Sequence, residues 1–223
     1  MEAMIRKILL FVSTIALFLF PIGICHAELF GNYYGSVDFP GGISSFADAA
    51  ISYNVGSGGV TAPYMDTTRA LGAPDYYGAA TPEYVSLGEG GSITLAFTDN
   101  SLTGNGNTGA DLWVFEVGPA VEATFVEISR NGTDWYAVGE VSGSTSGIDI
   151  DAYGFGIGDY FSYVRLTDDL NQNYGNGATA GADIDAVGAI STAPPVNPVP
   201  EPGTLLLVGI GIAGILGVRM YRK

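Results

Sequence analysis

The sequence has almost no cysteine, histidine or lysine. Of its 223 residues one is cysteine and one is histidine, and these adjacent residues, Cys25 and His26, lie near the N-terminus. Both lysines, Lys7 and Lys223, lie near the chain ends. Residues 28–198 therefore lack the side chains for a disulfide, a cysteine nucleophile, a Ser-His-Asp triad, a Schiff-base lysine or an ordinary zinc site. Carboxylate chemistry remains, which suits hard cations such as Ca²⁺ or a pair of glycosidase acids.

Positive charge is also scarce in the central region. Residues 28–198 hold 21 of the 23 acidic residues but only three of the eight basic ones, Arg69, Arg130 and Arg165, for a net charge of −18. Nucleic acids and anionic lipids bind clustered Lys and Arg, so neither is expected as a partner. The excess of acids indicates either a solvated acidic surface or a protein that binds cations. A region of this length fits one domain.

The N-terminus has the pattern of a secretory signal peptide. Arg6 and Lys7 precede an apolar run over residues 8–24, and Cys25-His26-Ala27 is a small-x-small cleavage site. We therefore predict a signal peptide over residues 1–27 and export of the remainder. Cys25 leaves a lipoprotein alternative open.

The C-terminus has three parts in a fixed order. A Pro-flanked glutamate leads into an uncharged, mostly apolar run over residues 204–218, and residues 219–223 are basic. Fifteen helical residues span about 22 Å, short of the ~30 Å hydrocarbon core, so the run predicts a short, marginal transmembrane helix. The basic end predicts a cytoplasmic tail, with all earlier residues outside. The residues of the motif are Val199, Pro200, Glu201 and Pro202.

This three-part tail resembles the PEP-CTERM sorting signal of Gram-negative bacteria. The resemblance implies that the inner membrane holds the protein transiently until an exosortase, a membrane cysteine protease, processes the tail. It further implies delivery to the cell surface or extracellular matrix, with a structural or adhesive role in the exopolysaccharide of a biofilm. The resemblance covers about the last 25 residues and says little about the chemistry of the domain.

The sequence of the central region indicates many short strands separated by turns. Residues 92–97 alternate between apolar and polar, residues 111–117 are almost continuously apolar, and Asn131-Gly132 separates two further strand-like runs. These patterns predict an all-β fold, an antiparallel jelly-roll-like β-sandwich over residues 28–191. Residues 46–51 are expected to form a helical turn, and the Pro-rich residues 192–203 a stiff linker that contains the sorting motif.

Four segments of this region resemble galactose-binding-like, discoidin-type β-sandwiches. They are residues 70–75, 112–117, 129–135 and 163–168. The resemblance implies a binding module for glycans or lipids, with no catalytic role. It does not cover the stretch before residue 65, and the sequence has no basic ligand-binding loop.

Oxygen-bearing side chains at alternating positions indicate a calcium loop after residue 168. The order Asp-x-Asn-x-Asn resembles the ligand spacing of calcium loops, and Gly-Ala-Asp occurs at the start of two predicted strands. The alternative is a solvated turn in which the aspartates bond their own loop. The candidate calcium ligands are Asp169, Asn171, Asn173, Asp183, Asp185 and Asp111.

Two further features bear on function. Glu116 is the only acid inside the apolar strand 112–117, so we expect a raised pKa there, which makes it the best candidate for a glycosidase acid. The alternatives are a glutamate at the strand edge or an ion pair with Arg165. Tyrosines in the loops are candidates for stacking on sugar rings. These are Tyr33, Tyr34, Tyr76, Tyr77 and Tyr174. We expect the protein to have no enzymatic activity. Its expected role is structural or adhesive, and carbohydrate binding is the alternative.

Overall fold

The computed structural model describes residues 27–78, 82–118, 122–172 and 177–196. These residues form antiparallel strands and short 3-10 helices, so the predicted all-β fold is confirmed. In chain order the strands are β1 (Glu28–Asn32), β2 (Gly35–Phe39), β3 (Ala49–Asn54), β4 (Val85–Ser86), β5 (Ser92–Ala96), β6 (Ser101–Leu102), β7 (Leu112–Glu116), β8 (Thr124–Ser129), β9 (Trp135–Val141), β10 (Thr145–Ile148), β11 (Tyr163–Asp168), β12 (Asp183–Ala189) and β13 (Thr192–Ala193). The 3-10 helices are Gly42–Ser45, Ala62–Tyr64, Thr67–Ala70 and Asp151–Tyr153.

Among these described residues, every helix is too short or too polar to cross a membrane. The predicted sorting motif, transmembrane helix and basic tail lie outside the described ranges, as does the predicted signal peptide except for Ala27.

Two sheets form the sandwich. One has five strands in the order β3-β5-β11-β8-β9, and the other has four in the order β10-β7-β12-β4. Side chains of both sheets form one apolar core, because alternate residues of β5, β8 and β11 point inward. Fully buried members from the five-stranded sheet are Ile93, Leu95, Val126, Ile128, Val164 and Leu166, and those from the four-stranded sheet include Leu112, Ile184 and Val187.

The four-stranded sheet is covered on both faces. Its outer face carries Phe115 and Ala186, which pack with Phe39 and Phe46 in a second apolar cluster beneath the β1–β2 hairpin. The Phe39 and Phe46 ring centroids are 4.6 Å apart. This second layer explains the continuous apolar sequence of β7, which predicted a strand buried on both sides.

The N-terminal stretch, which matched no motif in the sequence, supplies this cover and an edge strand. The predicted helical turn over residues 46–51 is wrong. A 3-10 helix lies earlier, at Gly42–Ser45, and β3 begins at Ala49. Pairing of β3 along β5 satisfies the backbone of this segment and overrides a weak local helix preference.

The hairpin predicted around Asn131-Gly132 is confirmed, since β8 and β9 pair on either side of it. Gly132 has φ +75°, which glycine adopts without strain. The Ser129 hydroxyl accepts a hydrogen bond from the Gly132 N–H at 2.9 Å. Asn131 Oδ1 accepts bonds from the N–H groups of Thr133 and Asp134, so side chains fix the turn locally.

The domain extends slightly into the predicted linker. Thr192 and Ala193 form β13, which pairs with Leu102 and Ser101 of β6. The Ser101 hydroxyl donates to the carbonyl of Pro194 at 2.9 Å. The chain is therefore held to the sandwich as far as residue 194.

Candidate functional site

Six tyrosines gather at one end of the sandwich and form what we call the tyrosine surface. They are Tyr33, Tyr34, Tyr64, Tyr76, Tyr77 and Tyr84. Ring centroids lie 5.3 Å apart for Tyr33–Tyr34, 6.0 Å for Tyr34–Tyr76, 5.6 Å for Tyr76–Tyr84 and 5.4 Å for Tyr64–Tyr84. Tyr33 is 69% exposed and Tyr77 is 68% exposed, whereas the other four are half-buried. The result is a continuous run of aromatic rings open to solvent at Tyr33.

The structure thus brings together four of the five tyrosines singled out from the sequence, and Tyr174 lies outside the described residues. Backbone hydrogen bonds hold the two segments that carry them. The Tyr33 N–H donates to the carbonyl of Tyr76 at 2.8 Å. The Tyr77 hydroxyl donates to the carbonyl of Gly31 at 2.8 Å. The β1–β2 turn and the loop before β4 are consequently tied together.

Asp185 lies beneath the tyrosine surface and joins the same two segments. It is 1% exposed, and its Oδ2 accepts a bond from the Asn32 side-chain amide at 3.0 Å. Its Oδ1 accepts a bond from the Asp75 N–H at 3.1 Å. Burial raises the pKa of Asp185 to about 6, against the effect of the bond from Asn32. Asn32 in turn accepts a bond from the Tyr34 N–H, so Asp185 is a positioning residue for the tyrosines.

A strand irregularity gives Asp185 this position. The register between β12 and β7 shifts between Ile184 and Ala186, so Asp185 has no partner residue on β7. Such an extra residue in a bulge leaves the regular alternation of a strand and re-aims its side chain. The Asp185 carboxylate therefore accepts bonds from Asn32, the last residue of β1, and from Asp75, in the loop before β4.

Carboxylates also accompany the tyrosines at the surface. Asp75 is exposed and Glu83 is half-buried, and Glu83 accepts a bond from the Tyr77 N–H at 3.4 Å. Partial burial, with the neighbouring Glu83, raises the pKa of Asp75, while Arg69 acts in the opposite direction. The tyrosine surface is thus both aromatic and negatively charged.

Glu116 is 2% exposed and faces Glu122 inside the fold. Glu116 Oε1 accepts a bond from the Glu122 N–H at 3.0 Å. Burial raises the pKa of Glu116 to about 9, which confirms the raised pKa expected from the sequence. The alternative pairing with Arg165 is wrong, because Arg165 bonds Glu127 at 2.7 Å. A polysaccharide does not reach a carboxylate buried in this way.

The candidate calcium ligands occupy several different settings. Asp169 Oδ1 accepts bonds from the N–H and side-chain amide of Asn171 in an exposed turn. Asp183 accepts a bond from the Ser86 hydroxyl, and burial raises its pKa to about 8. Asp185 bonds Asn32, as described above, and Asn173 lies outside the described residues. Calcium binding by this set stays a prediction.

Asp111 has yet another setting, beside two aspartates that were not predicted from the sequence. Carboxylate oxygens of Asp111, Asp149 and Asp151 lie within 4.8 Å of one another. Asp111 Oδ2 accepts a bond from the Ile150 N–H at 3.0 Å. Asp151 Oδ2 accepts a bond from the Asn105 N–H at 2.9 Å. The Asp-Ile-Asp spacing at 149–151 was the sequence signal that could have indicated these residues.

Two solved structures are among those similar to this chain at low identity. CpGH89CBM32-6 of Clostridium perfringens is similar at 14% identity and a TM-score of 0.32, over 48% of this chain and 74% of that one. The C-terminal domain of a chitobiase from Bacteroides fragilis is similar at 14% identity and a TM-score of 0.34, over 65% and 95% respectively. No curated protein matches the chain.

The C-terminal tail gives the specific result. Residues 198–223 match the family described as the PEP-CTERM protein-sorting motif. The match includes all four motif residues predicted from the sequence, from Val199 to Pro202. The chain therefore carries a PEP-CTERM protein-sorting motif at its C-terminal end.

Proposed function

We propose that the protein is a cell-surface or matrix component that binds extracellular polysaccharide through the tyrosine surface, without catalysis. The PEP-CTERM motif implies an exported protein that an exosortase sorts. The tyrosine surface is the observation that supports polysaccharide binding. Tyrosine combines an apolar ring with a polar hydroxyl, the combination that suits the faces and edges of sugar rings.

The way the tyrosines are held supports binding as well. Asp185, Asn32 and the bond between Tyr33 and Tyr76 fix the two loops before any ligand arrives. A preorganised surface loses less conformational entropy on binding than a flexible one. The buried position of Glu116 supports a non-catalytic role, because the best acid candidate is inaccessible to a polymer.

Glycan binding is tested with the full-length protein, purified in detergent and applied to a panel of polysaccharides and oligosaccharides. We expect binding to at least one glycan and a loss of about two- to tenfold in affinity for Tyr33→Ala, since one stacking contact contributes ~0.5–1.5 kcal/mol. Tyr160→Ala is the matched control, because Tyr160 is 43% exposed and lies outside the tyrosine surface. No binding by a folded sample would overturn the proposal.

Sorting is tested independently by mass spectrometry of the protein recovered from the cell surface and medium. We expect the C-terminal apolar run to be missing from that material. Surface protein that retains an intact Arg222-Lys223 end would contradict exosortase processing. This result would leave the glycan test unaffected.

A further inference from the structure

The arginines of the described residues are all engaged by carboxylates. The pairs are Arg69–Asp66 at 3.6 Å, Arg130–Asp159 at 2.5 Å and Arg165–Glu127 at 2.6 Å. Arg165 also lies over the Trp135 ring, 4.3 Å from its centroid. Since residues 28–198 contain no lysine, the described part of the domain offers no unpaired cation to a uronate, sulfate or phosphate. Anionic polysaccharides would meet a repulsive field.

The charge around the tyrosine surface has the opposite sign. Asp75 precedes Tyr76 and is exposed, and Glu83 precedes Tyr84 and accepts a bond from the Tyr77 N–H. Arg69 acts on Asp75 with the opposite sign, and Asp66 holds Arg69 in an ion pair. Tyrosine faces and carboxylates both attract a positively charged group.

We infer that the ligand of the tyrosine surface is an amino-sugar polymer that carries free, protonated amines. The inference rests on the proposed function and names the class of polysaccharide. Each ammonium group would lie over a tyrosine face or against Asp75 and Glu83, while the sugar rings stack on neighbouring tyrosines. A polymer fits better than a small cation, because ring contacts run without interruption from Tyr33 to Tyr64.

The experiment compares three probes on the full-length protein in detergent. These probes are glucosamine oligomers, the same oligomers after N-acetylation, and a polyuronate. Acetylation removes the positive charge and keeps the sugar ring, so it isolates the ammonium contribution. We expect the free amines to bind about tenfold more tightly or better, a difference within the range of desolvated cation–π and charge-assisted contacts. We expect no binding of the polyuronate.

A domain of charge −18 attracts polycations non-specifically, so matched variants are required. Asp75→Asn and Glu83→Gln each remove one carboxylate at the tyrosine surface and should weaken glucosamine binding about fivefold or more, while N-acetylated oligomers are unaffected. Asp38→Asn and Glu140→Gln remove exposed carboxylates elsewhere and should change neither. Tyr33→Ala leaves the net charge intact and should weaken both.

Each outcome bears on one claim. Equal binding of free and acetylated oligomers, both lost in Tyr33→Ala, would overturn the amine inference and leave the proposed function standing. If Asp75→Asn and Asp38→Asn weaken glucosamine binding equally, the attraction comes from the net charge of the domain, and the inference is overturned. Preferred binding of the polyuronate would overturn it as well. No binding of any glycan would overturn the proposed function itself.

Discussion

The side-chain amide of Asn32 donates a hydrogen bond to Asp185 at 3.0 Å across 153 positions of sequence. Both groups are buried, and Asp185 also holds the backbone at Asp75. A single carboxylate thus links the first hairpin, the loop before β4 and the last long strand. The arrangement of the tyrosine surface depends on this link.

We expect Asn32→Ala to destabilise the domain and to loosen the tyrosines. The substitution leaves a buried carboxylate without one of its donors, which costs about 1–3 kcal/mol. Thermal unfolding should occur at a lower temperature, and near-ultraviolet circular dichroism of the tyrosines should weaken in the folded state. Asp38→Asn, at an exposed position of β2, is the control. An unchanged melting temperature and tyrosine signal would contradict the positioning role of Asp185.

Stability should fall as the pH rises above about 4. Burial raises the pKa of Glu116 to about 9 and that of Asp183 to about 8, whereas unfolded carboxyls titrate near ~4. Between these values the folded state keeps protons that the unfolded state has released, so unfolding releases protons and higher pH favours it. Urea unfolding measured over this pH range tests the slope. A stability that rises with pH up to 9 would contradict the prediction.

Glu116→Gln separates this effect from general charge repulsion. The neutral amide needs no proton, so the variant should be more stable than the natural chain near pH 8 and its pH dependence should be flatter. Glu140→Gln is the same substitution at an exposed position and should have little effect. Equal stabilisation by the two variants would attribute the slope to net charge, and destabilisation by Glu116→Gln near pH 8 would contradict the burial cost.

Calcium binding remains a prediction of the sequence, with a defined test. At free calcium about 100-fold above the dissociation constant, binding adds ~2.7 kcal/mol, which raises the melting temperature of a domain this size by several degrees. The melting temperatures measured with calcium and with a chelator should differ by that amount. If the ligands predicted from the sequence bind the ion, Asp183→Asn should reduce this difference in melting temperature. If the carboxylates around Asp111 bind it, Asp149→Asn should reduce the difference instead. Equal melts, or the same shift with sodium chloride, would count against a calcium site.

Gly188→Ala should destabilise the sheet beneath the first hairpin. A methyl group at this position would lie 2.6 Å from Phe39 and 2.8 Å from Phe46, both fully buried. Overpacking of this kind costs about 1–3 kcal/mol, measurable by urea unfolding. Gly109→Ala is the control, since its methyl would meet only flexible side chains of Asn105 and Asn107. A Gly188→Ala variant as stable as the natural chain would show that the rings repack.

Local patterns predicted much of the fold. The continuous apolar run of β7 predicted burial on both faces, and Asn131-Gly132 predicted the β8–β9 hairpin. Both features are decided by neighbouring residues, so a single sequence reveals them. The tyrosine positions were also evident, but their gathering was not, because it depends on hydrogen bonds between distant segments.

The role of Asp185 could not be read from the sequence for the same reason. Alternation along β12 places it with Asp183, and the bulge that re-aims it forms only when β12 pairs with β7. The spacing of Asp169 and Asn171 has a local explanation, since Asn171 bonds Asp169 within one turn. Asp149 and Asp151 meet Asp111 only after β10 pairs with β7.

The hydrogen bond from the Ser101 hydroxyl to the carbonyl of Pro194 holds the chain to the sandwich at residue 194, and the segment that leads to the sorting motif begins there. Six residues lie between Pro194 and Glu201, and the seven steps along a fully extended chain reach about 25 Å at most. While β13 stays paired with β6, the sorting motif lies within that reach of the sandwich. We therefore expect an exosortase that acts on the sorting motif to work within this distance of a folded, strongly acidic surface.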